Sequence, residues 1–199
     1  YGRLDLDAVM NPTAPVMYFD QDTVFTSSGE SWRLQVRAVD PSQPVRLMLA
    51  WSDAPGHGLG GTTPAWVNDL DLNVLVGSDS YFGNNVGATG WSVPGGARDA
   101  KNNLEGIFLP AGTADFEIVV DATNIAADAL NPFMQGDPAQ DFAVACYNCE
   151  LSDGFSLRVS PRSLAICQGD AVNAEVSLTA FGDFDSAVAL SMTGLPADL

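Results

Sequence analysis

One stretch constrains the fold more than any other: residues 47–76, LMLAWSDAPGHGLGGTTPAWVNDLDLNVLV. It reads as an apolar strand closing on Trp51-Ser52-Asp53, a loop rich in Gly, Pro and Thr, and a second strand. In that second strand Asn68, Leu70, Leu72 and Val74 alternate with Asp69, Asp71 and Asn73. Strand side chains point to opposite faces with period two, so the leucines fill a core while Asp69, Asp71 and Asn73 line up on the other side. Three oxygen-bearing side chains in a row either repel one another or bind something.

What such a row can bind is narrowed by charge. The 199 residues carry 25 acidic and 8 basic side chains, a net charge of −17. Phosphate recognition needs clustered Lys and Arg, so nucleic acid is excluded as a partner, and anionic membrane surfaces are disfavoured on the same ground. No apolar run in these residues is long enough to span a bilayer, and the opening residues are not expected to be a signal peptide. The balance fits a secreted or salt-tolerant protein and hard cations such as Ca²⁺. The chain starts at Tyr1 without Met and ends within a strand-like pattern, so it is expected to be a piece of a longer protein.

Strand patterns recur along the chain. Residues 1–10 read as a turn and a short helical or irregular segment, stopped at Asn11-Pro12. Residues 16–25 hold two short apolar pieces, VMYF and TVFT, separated by acidic turn residues. Residues 31–39 alternate as a half-solvated antiparallel strand, and residues 44–52 are more continuously apolar and therefore more central. Residues 78–103 form a long excursion rich in Gly, Asn, Ser and Asp, with Tyr81-Phe82 and Trp91-Ser92-Val93 as candidate short strands. Residues 104–109, 115–122 and 141–147 are strands, and residues 124–139 a loop. About eight strands at roughly 8–12-residue spacing predict an antiparallel β-sandwich of jelly-roll type over residues 13–150. Strand patterns at 155–159, 163–167, 171–180 and 187–193 predict the start of an immunoglobulin-like sandwich, truncated, over residues 151–199.

Calcium takes six to eight oxygen ligands from carboxylates, amides, carbonyls and water. The candidates are Asp53, Asn68, Asp69 and Asp71, with Asn102, Asn103 and Glu105 from the later segment. An EF-hand is excluded, because Val74 stands where the turn glycine belongs and Ser80 where the bidentate Glu belongs. The competing reading is that these residues cap strand ends and tie loops by hydrogen bonds, as Asp and Asn do in turns. A hydrogen-bonded belt between the WSD and NDLDL loops suits both readings.

The three cysteines are Cys146, Cys149 and Cys167, and an odd count leaves one over. The pairing is either Cys146–Cys149 or one of these two with Cys167. Zinc and thioredoxin-type chemistry lack the spacing and the βαβ context. Trp32 and Trp51 fall on strand patterns and belong to the core. Trp66, Tyr81, Phe82 and Trp91 lie near loops, where ring stacking on carbohydrate competes with simple packing. His57, the one histidine, sits in a Gly-rich loop and is expected to be solvated.

Five segments in order carry a resemblance: Gly2-Arg3-Leu4-Asp5-Leu6; Leu47 with Ala50-Trp51-Ser52-Asp53-Ala54-Pro55-Gly56; Val67-Asn68-Asp69-Leu70-Asp71-Leu72; Asn102-Asn103-Leu104-Glu105-Gly106; and Gln140-Asp141-Phe142-Ala143. The first resembles the segment closing the catalytic domain of subtilisin-like serine proteases, which makes residues 1–12 the tail of such a domain or a linker. The rest resemble the C-terminal β domain of secreted bacterial subtilases, a jelly roll related to the P domain of proprotein convertases. FSLRVSP and TGLPA are similar to appended immunoglobulin-like modules. The resemblance implies a calcium-associated, secreted accessory region whose partners are the catalytic domain in the same polypeptide and protein substrates. It brings no catalytic residue: a subtilase needs Asp, His and Ser in one constellation, and no nucleophile segment exists here. The alternative is an extracellular binding module for carbohydrate or a cell-surface adhesin fragment with no protease attached.

Overall fold

A computed structural model describes residues 5–58, 64–113, 115–133, 136–152, 154–160, 173–181 and 184–191. The chain divides into two compact units, Tyr1–Glu150 and Leu151–Leu199. The fold is all-β, and the first unit is a β-sandwich. A five-residue helix, α1 (Leu6–Met10), opens it, with Asp5 as N-cap accepting from the amides of Asp7 and Ala8.

Nine strands follow: β1 (Val16–Phe25), β2 (Ser31–Ala38), β3 (Val45–Ala50), β4 (Asp69–Val76), β5 (Asp79–Phe82), β6 (Leu104–Leu109), β7 (Phe116–Asn124), β8 (Gln140–Tyr147) and β9 (Cys149–Leu151). One sheet has the order β1-β8-β3-β6 and the other β5-β4-β7-β2-β9, and the resolved pairings are antiparallel. Most connections therefore cross between sheets, and the interleaved orders 1-8-3-6 and 2-7-4-5 are those of a jelly roll.

Alternation drives this arrangement. Leu47 and Leu49 of β3, Leu70, Leu72 and Val74 of β4, Ile107 and Leu109 of β6, Ile118 and Val120 of β7 and Val144 of β8 are all buried between the sheets. Phe25 stacks on Phe142, and the Trp32 ring meets both Phe19 and Phe142 edge-on. Trp51 is buried and Trp32 half-buried, as expected of strand residues.

Two local expectations need correction. Residues 16–25 form one strand rather than two: the pairing of β1 with β8 skips between Asp20 and Val24, and Gln21 has φ 59°. A bulge absorbs the acidic residues that resemble a turn in sequence. A further strand, β9, follows residues 141–147, the last strand expected of the sandwich, three residues being too short for a periodic signal.

The chain passes from one sheet to the other between Tyr147 and Cys149. Asn148 makes this turn with φ 62°; its side chain donates to the carbonyls of Asp40, Gln43 and Pro44 and accepts from the Asp40 amide. A Cys146–Cys149 disulfide staples the same turn, tying β8 to β9. Cys167 lies outside the described residues.

In the second unit, β10 (Gly154–Ser160) and β11 (Glu175–Phe181) pair antiparallel in an unbroken register. The expected strand at 163–167 lies outside the described residues. Residues 187–191 are not strand; the apolar letters there have no neighbouring ladder among the described residues. Among those residues no helix is long and apolar enough to cross a membrane.

The disulfide closes a loop with a sequence separation of three, so its restriction of the unfolded chain is small. Reduction, or Cys146→Ser combined with Cys149→Ser, is expected to cost about 2 kcal/mol. Urea unfolding followed by tryptophan fluorescence checks this, since Trp32, Trp51, Trp66 and Trp91 all lie in the first unit.

Candidate functional site: a buried carboxylate cluster

The ends of β3 and β7 and the starts of β4, β6 and β8 meet at one end of the sandwich. A belt of side-chain hydrogen bonds joins them. Asp53, just past β3, accepts from the amides of Ala54 (2.7 Å), Val67 (2.6 Å) and Asn68 (2.9 Å). Asn68 is fully buried; its Oδ1 accepts from the amides of Ala126 and Ala127, and its Nδ2 donates to the Ala127 carbonyl and to Gln140 Oε1. Gln140 Nε2 in turn donates to the Ser52 carbonyl at 3.0 Å. Trp51 Nε1 donates to the Asn68 carbonyl, and Asn103 Nδ2 donates to the Trp51 carbonyl. Asp53, Asn68 and Asn103 thus act as loop anchors. Asn102 donates to Asp99.

Asp69, Asp71 and Glu105 are different. All three are buried, at 3 %, 1 % and 0 % exposure, and each keeps one buried oxygen without a hydrogen-bond partner: Asp69 Oδ1, Asp71 Oδ1 and Glu105 Oε1. Glu105 follows from strand geometry. It shares the inward face of β6 with Ile107 and Leu109, and β5 stops at Phe82. The next rung on β4 is completed by Gly83, whose amide donates to the Leu72 carbonyl, and by Glu105 Oε2, which accepts from the Leu72 amide at 2.7 Å. A Cβ at Gly83 would collide with the Glu105 carboxyl, so only glycine fits there.

Asp69 and Asp71 lie on the opposite face of β4 from the leucines, where the excursion after β5 folds back over them. Arg98 donates from Nη1 to Asp71 Oδ2 (3.0 Å) and from Nη2 to Asp121 Oδ2 (2.7 Å), and its guanidinium lies 5.7 Å from the Phe82 ring centre. Thr123 also donates to Asp71 Oδ2. Asp99 sits nearby; burial pushes its carboxyl up, but donors from Asn84, Asn102 and the Lys101 amide outweigh this and hold it below its ordinary range.

Arg98 is therefore the cation facing several carboxylates. Burial, followed by the charges of Asp71, Asp99 and Asp53, pushes Asp69 up to about 6. Burial also pushes Glu105 up to about 8; the Leu72 amide opposes this, and Asp71, Asp99 and Asp69 add to it. Chemically the cluster can hold protons. Among the described residues, no three His, Cys, Asp or Glu side chains are arranged as a ready coordination sphere.

Sequence reasoning brought Asp53, Asn68, Asp69, Asp71, Asn103 and Glu105 to this end of the sandwich, but missed Arg98, Asp99, Thr123 and Gly83. The available signal was Arg98 itself, one of only eight basic residues, inside the excursion. His57 is exposed, and its Nε2 lies 3.1 Å from the Pro64 carbonyl. Trp66 and Trp91 are half-buried, and Trp66 Nε1 donates to the Ala100 carbonyl.

No protein-family model matches the chain, and no curated protein matches it. A crystal structure of a protein from Sulfurospirillum deleyianum is similar over 69 % of this chain and 98 % of its own, at 7 % identity and a TM-score of 0.31. A likeness that low carries no statement about function.

Both raised carboxyls hold their protons more tightly in the folded state than in the unfolded chain. Their contribution is therefore most favourable below about pH 4 and is lost as pH rises toward 8. Glu105→Gln keeps an acceptor for the Leu72 amide and removes the ionisation. In chelator, it is expected to stabilise the protein at pH 8–9 by on the order of a few kcal/mol and to flatten the fall above pH 5. Urea midpoints across pH 5–9 give the answer; parallel wild-type and variant profiles would refute it.

Proposed function

We propose that this chain is a non-catalytic accessory region of a secreted subtilisin-like serine endopeptidase, stabilising its catalytic domain and carrying calcium. One observation supports this most. The internal segments that resemble the subtilase β domain lie far apart in sequence, yet they bond to one another in a single belt: Trp51-Ser52-Asp53 with Asn68, Asn68 with Gln140, and Asn103 with Trp51. Segments that resemble that family in sequence thus lie in contact with one another. The disulfide at the β8–β9 turn suits an oxidising, extracellular setting.

In this reading calcium would draw on Asp69, Asp71 and Glu105, the three with buried oxygens left over, and would have to draw them together, since as they stand no three acidic side chains among the described residues are grouped to hold a metal ion. A bound divalent cation would supply the positive charge that Arg98 alone does not. Asp53, Asn68 and Asn103, engaged in the belt, are left out of that ligand set.

A thermal melt in chelator, then with Ca²⁺ or Mg²⁺ added back, reads the metal assignment. Ca²⁺ at a hundredfold excess over Kd is expected to add about 2.7 kcal/mol, with little response to Mg²⁺ and a weakened response in Asp69→Asn. Equal melting in chelator and Ca²⁺ would falsify it.

The accessory role is read separately. The open reading frame upstream of Tyr1 is expected to encode an Asp/His/Ser subtilase core. Deleting residues 13–199 from that protein is expected to shorten its half-life at elevated temperature severalfold while leaving short-peptide turnover nearly unchanged. An upstream frame without that core would instead leave a free-standing binding module.

A further inference from the structure

The outer face of the β1-β8-β3-β6 sheet departs from the usual polar exterior of a sandwich. Register places Tyr18, Ala145, Met48 and Gly106 side by side across four strands, and Asp20, Ala143, Ala50 and Leu104 in the next outward row. Ala50, Ala143 and Ala145 are half-buried and form a low floor, with Tyr18, 65 % exposed, on one side and Met48 on the other. The resulting trough has a volume of about 340 Å³. It continues into a second hollow of about 190 Å³ that shares Asp20, Ala50 and Ala143 and adds Gln21, Ser52 and Asp141.

That second hollow is acidic. Asp20 and Asp141 both line it, and neither takes part in an ion pair among the described residues. Their charges are close enough to interact: burial first, then Asp20, raises the Asp141 carboxyl. The β1 bulge sits here, with Gln21 in the left-handed region that a non-glycine residue adopts at a cost. The strain accompanies the placement of Asp20 beside Asp141 at the trough's end.

An apolar floor ending at two uncompensated carboxylates fits a ligand that is apolar along its length and cationic at one point. We propose that this trough docks an extended peptide segment in which a lysine or arginine is flanked by small apolar residues. The cationic head lies between Asp20 and Asp141, and the flanking side chains lie on Ala50, Ala143 and Ala145. A bare cation leaves the floor unused, and a neutral apolar strand leaves the carboxylates uncompensated. The surface stands apart from the Asp69/Asp71/Glu105 cluster and requires no calcium. It deepens the substrate-assisting part of the accessory reading by naming a peptide class, but it holds with or without an attached protease.

The test uses the 199-residue chain and a fluorescein-labelled octapeptide, Ala-Val-Ala-Lys-Val-Ala-Leu-Gly, in fluorescence anisotropy at two salt concentrations. Saturable binding is expected, at least about tenfold tighter than for the peptide with glutamate in place of lysine, and weaker at high salt. Asp20→Asn with Asp141→Asn is expected to weaken binding about fivefold or more, and Ala145→Trp, which fills the trough from an outward position, to abolish it. Circular dichroism melts establish that both variants fold; were either unfolded, Tyr18→Ala, at an exposed site, replaces it and is expected to weaken binding severalfold. No saturable binding up to about 1 mM, equal affinity for the lysine and glutamate peptides, or binding untouched by folded variants would overturn the proposal. So would sedimentation showing a dimer that Ala145→Trp dissociates, which would make a second copy the occupant.

Discussion

Asn68 holds the sandwich closed at the end where its chemistry lies. A buried carboxamide has two donor positions and an acceptor oxygen, and each unmade bond costs about 1–3 kcal/mol. Asn68 satisfies all of them: two amides into Oδ1, and Nδ2 to the Ala127 carbonyl and to Gln140. The first contacts bring in the β7–β8 loop, and Gln140 passes the connection to Ser52 after β3. Loops that jelly-roll topology only brings near one another become fixed. Aspartate in the same place has no donors for Ala127 and Gln140, and leucine leaves the amides unpaired.

With the loops fixed, the neighbouring carboxylates cannot move apart. Asp69 and Asp71 are two residues apart on one face of β4, and Glu105 is held to the Leu72 amide. An unpaired buried charge is costly, and such groups ordinarily shift their pKa or find a counter-ion. Arg98 satisfies part of Asp71 and part of Asp121 and leaves Asp69 and Glu105 to be balanced another way. The raised values of these two acids and the three leftover oxygens therefore have the same origin, which is more buried negative charge than one guanidinium can offset.

The legible parts of the fold were those set by period-two alternation. The leucines of β4 and the apolar run of β3 specify two central strands, and strand spacing specifies a sandwich. The β1 bulge was not legible, because Asp20-Gln21-Asp22 has turn composition and only the partner strand β8 shows that pairing resumes at Val24. The site divides the same way. Asp53, Asn68, Asp69, Asp71, Asn103 and Glu105 were found as oxygen-bearing side chains near strand ends, but their separation into anchors and leftover carboxylates depends on contacts from Ala126, Ala127 and Leu72. Arg98 and Thr123 enter from a loop and from the last residues of β7, and no periodicity links them to Asp71.

The two outer faces of the sandwich also differ in a way that bears on what each can meet. On the sheet containing β2 and β7 the surface charges of β2 are compensated, Arg33 by Glu117 and Arg37 by Glu150. Exposed pairs of this kind add little stability, about 0–1 kcal/mol each, but keep a surface solvated and discourage association. The opposite sheet spends its outward positions on Met48, Ala50, Ala143, Ala145 and Gly106, where Met48 Sδ lies 3.0 Å from the position a Cβ on Gly106 would take. Small side chains there lower the floor; the charge at one end, Asp20 with Asp141, is negative, and Arg46 lies toward the other end over the Tyr147 ring. A solvated exterior calls for the first arrangement. The second makes physical sense where another chain supplies both the apolar cover and the missing positive charge.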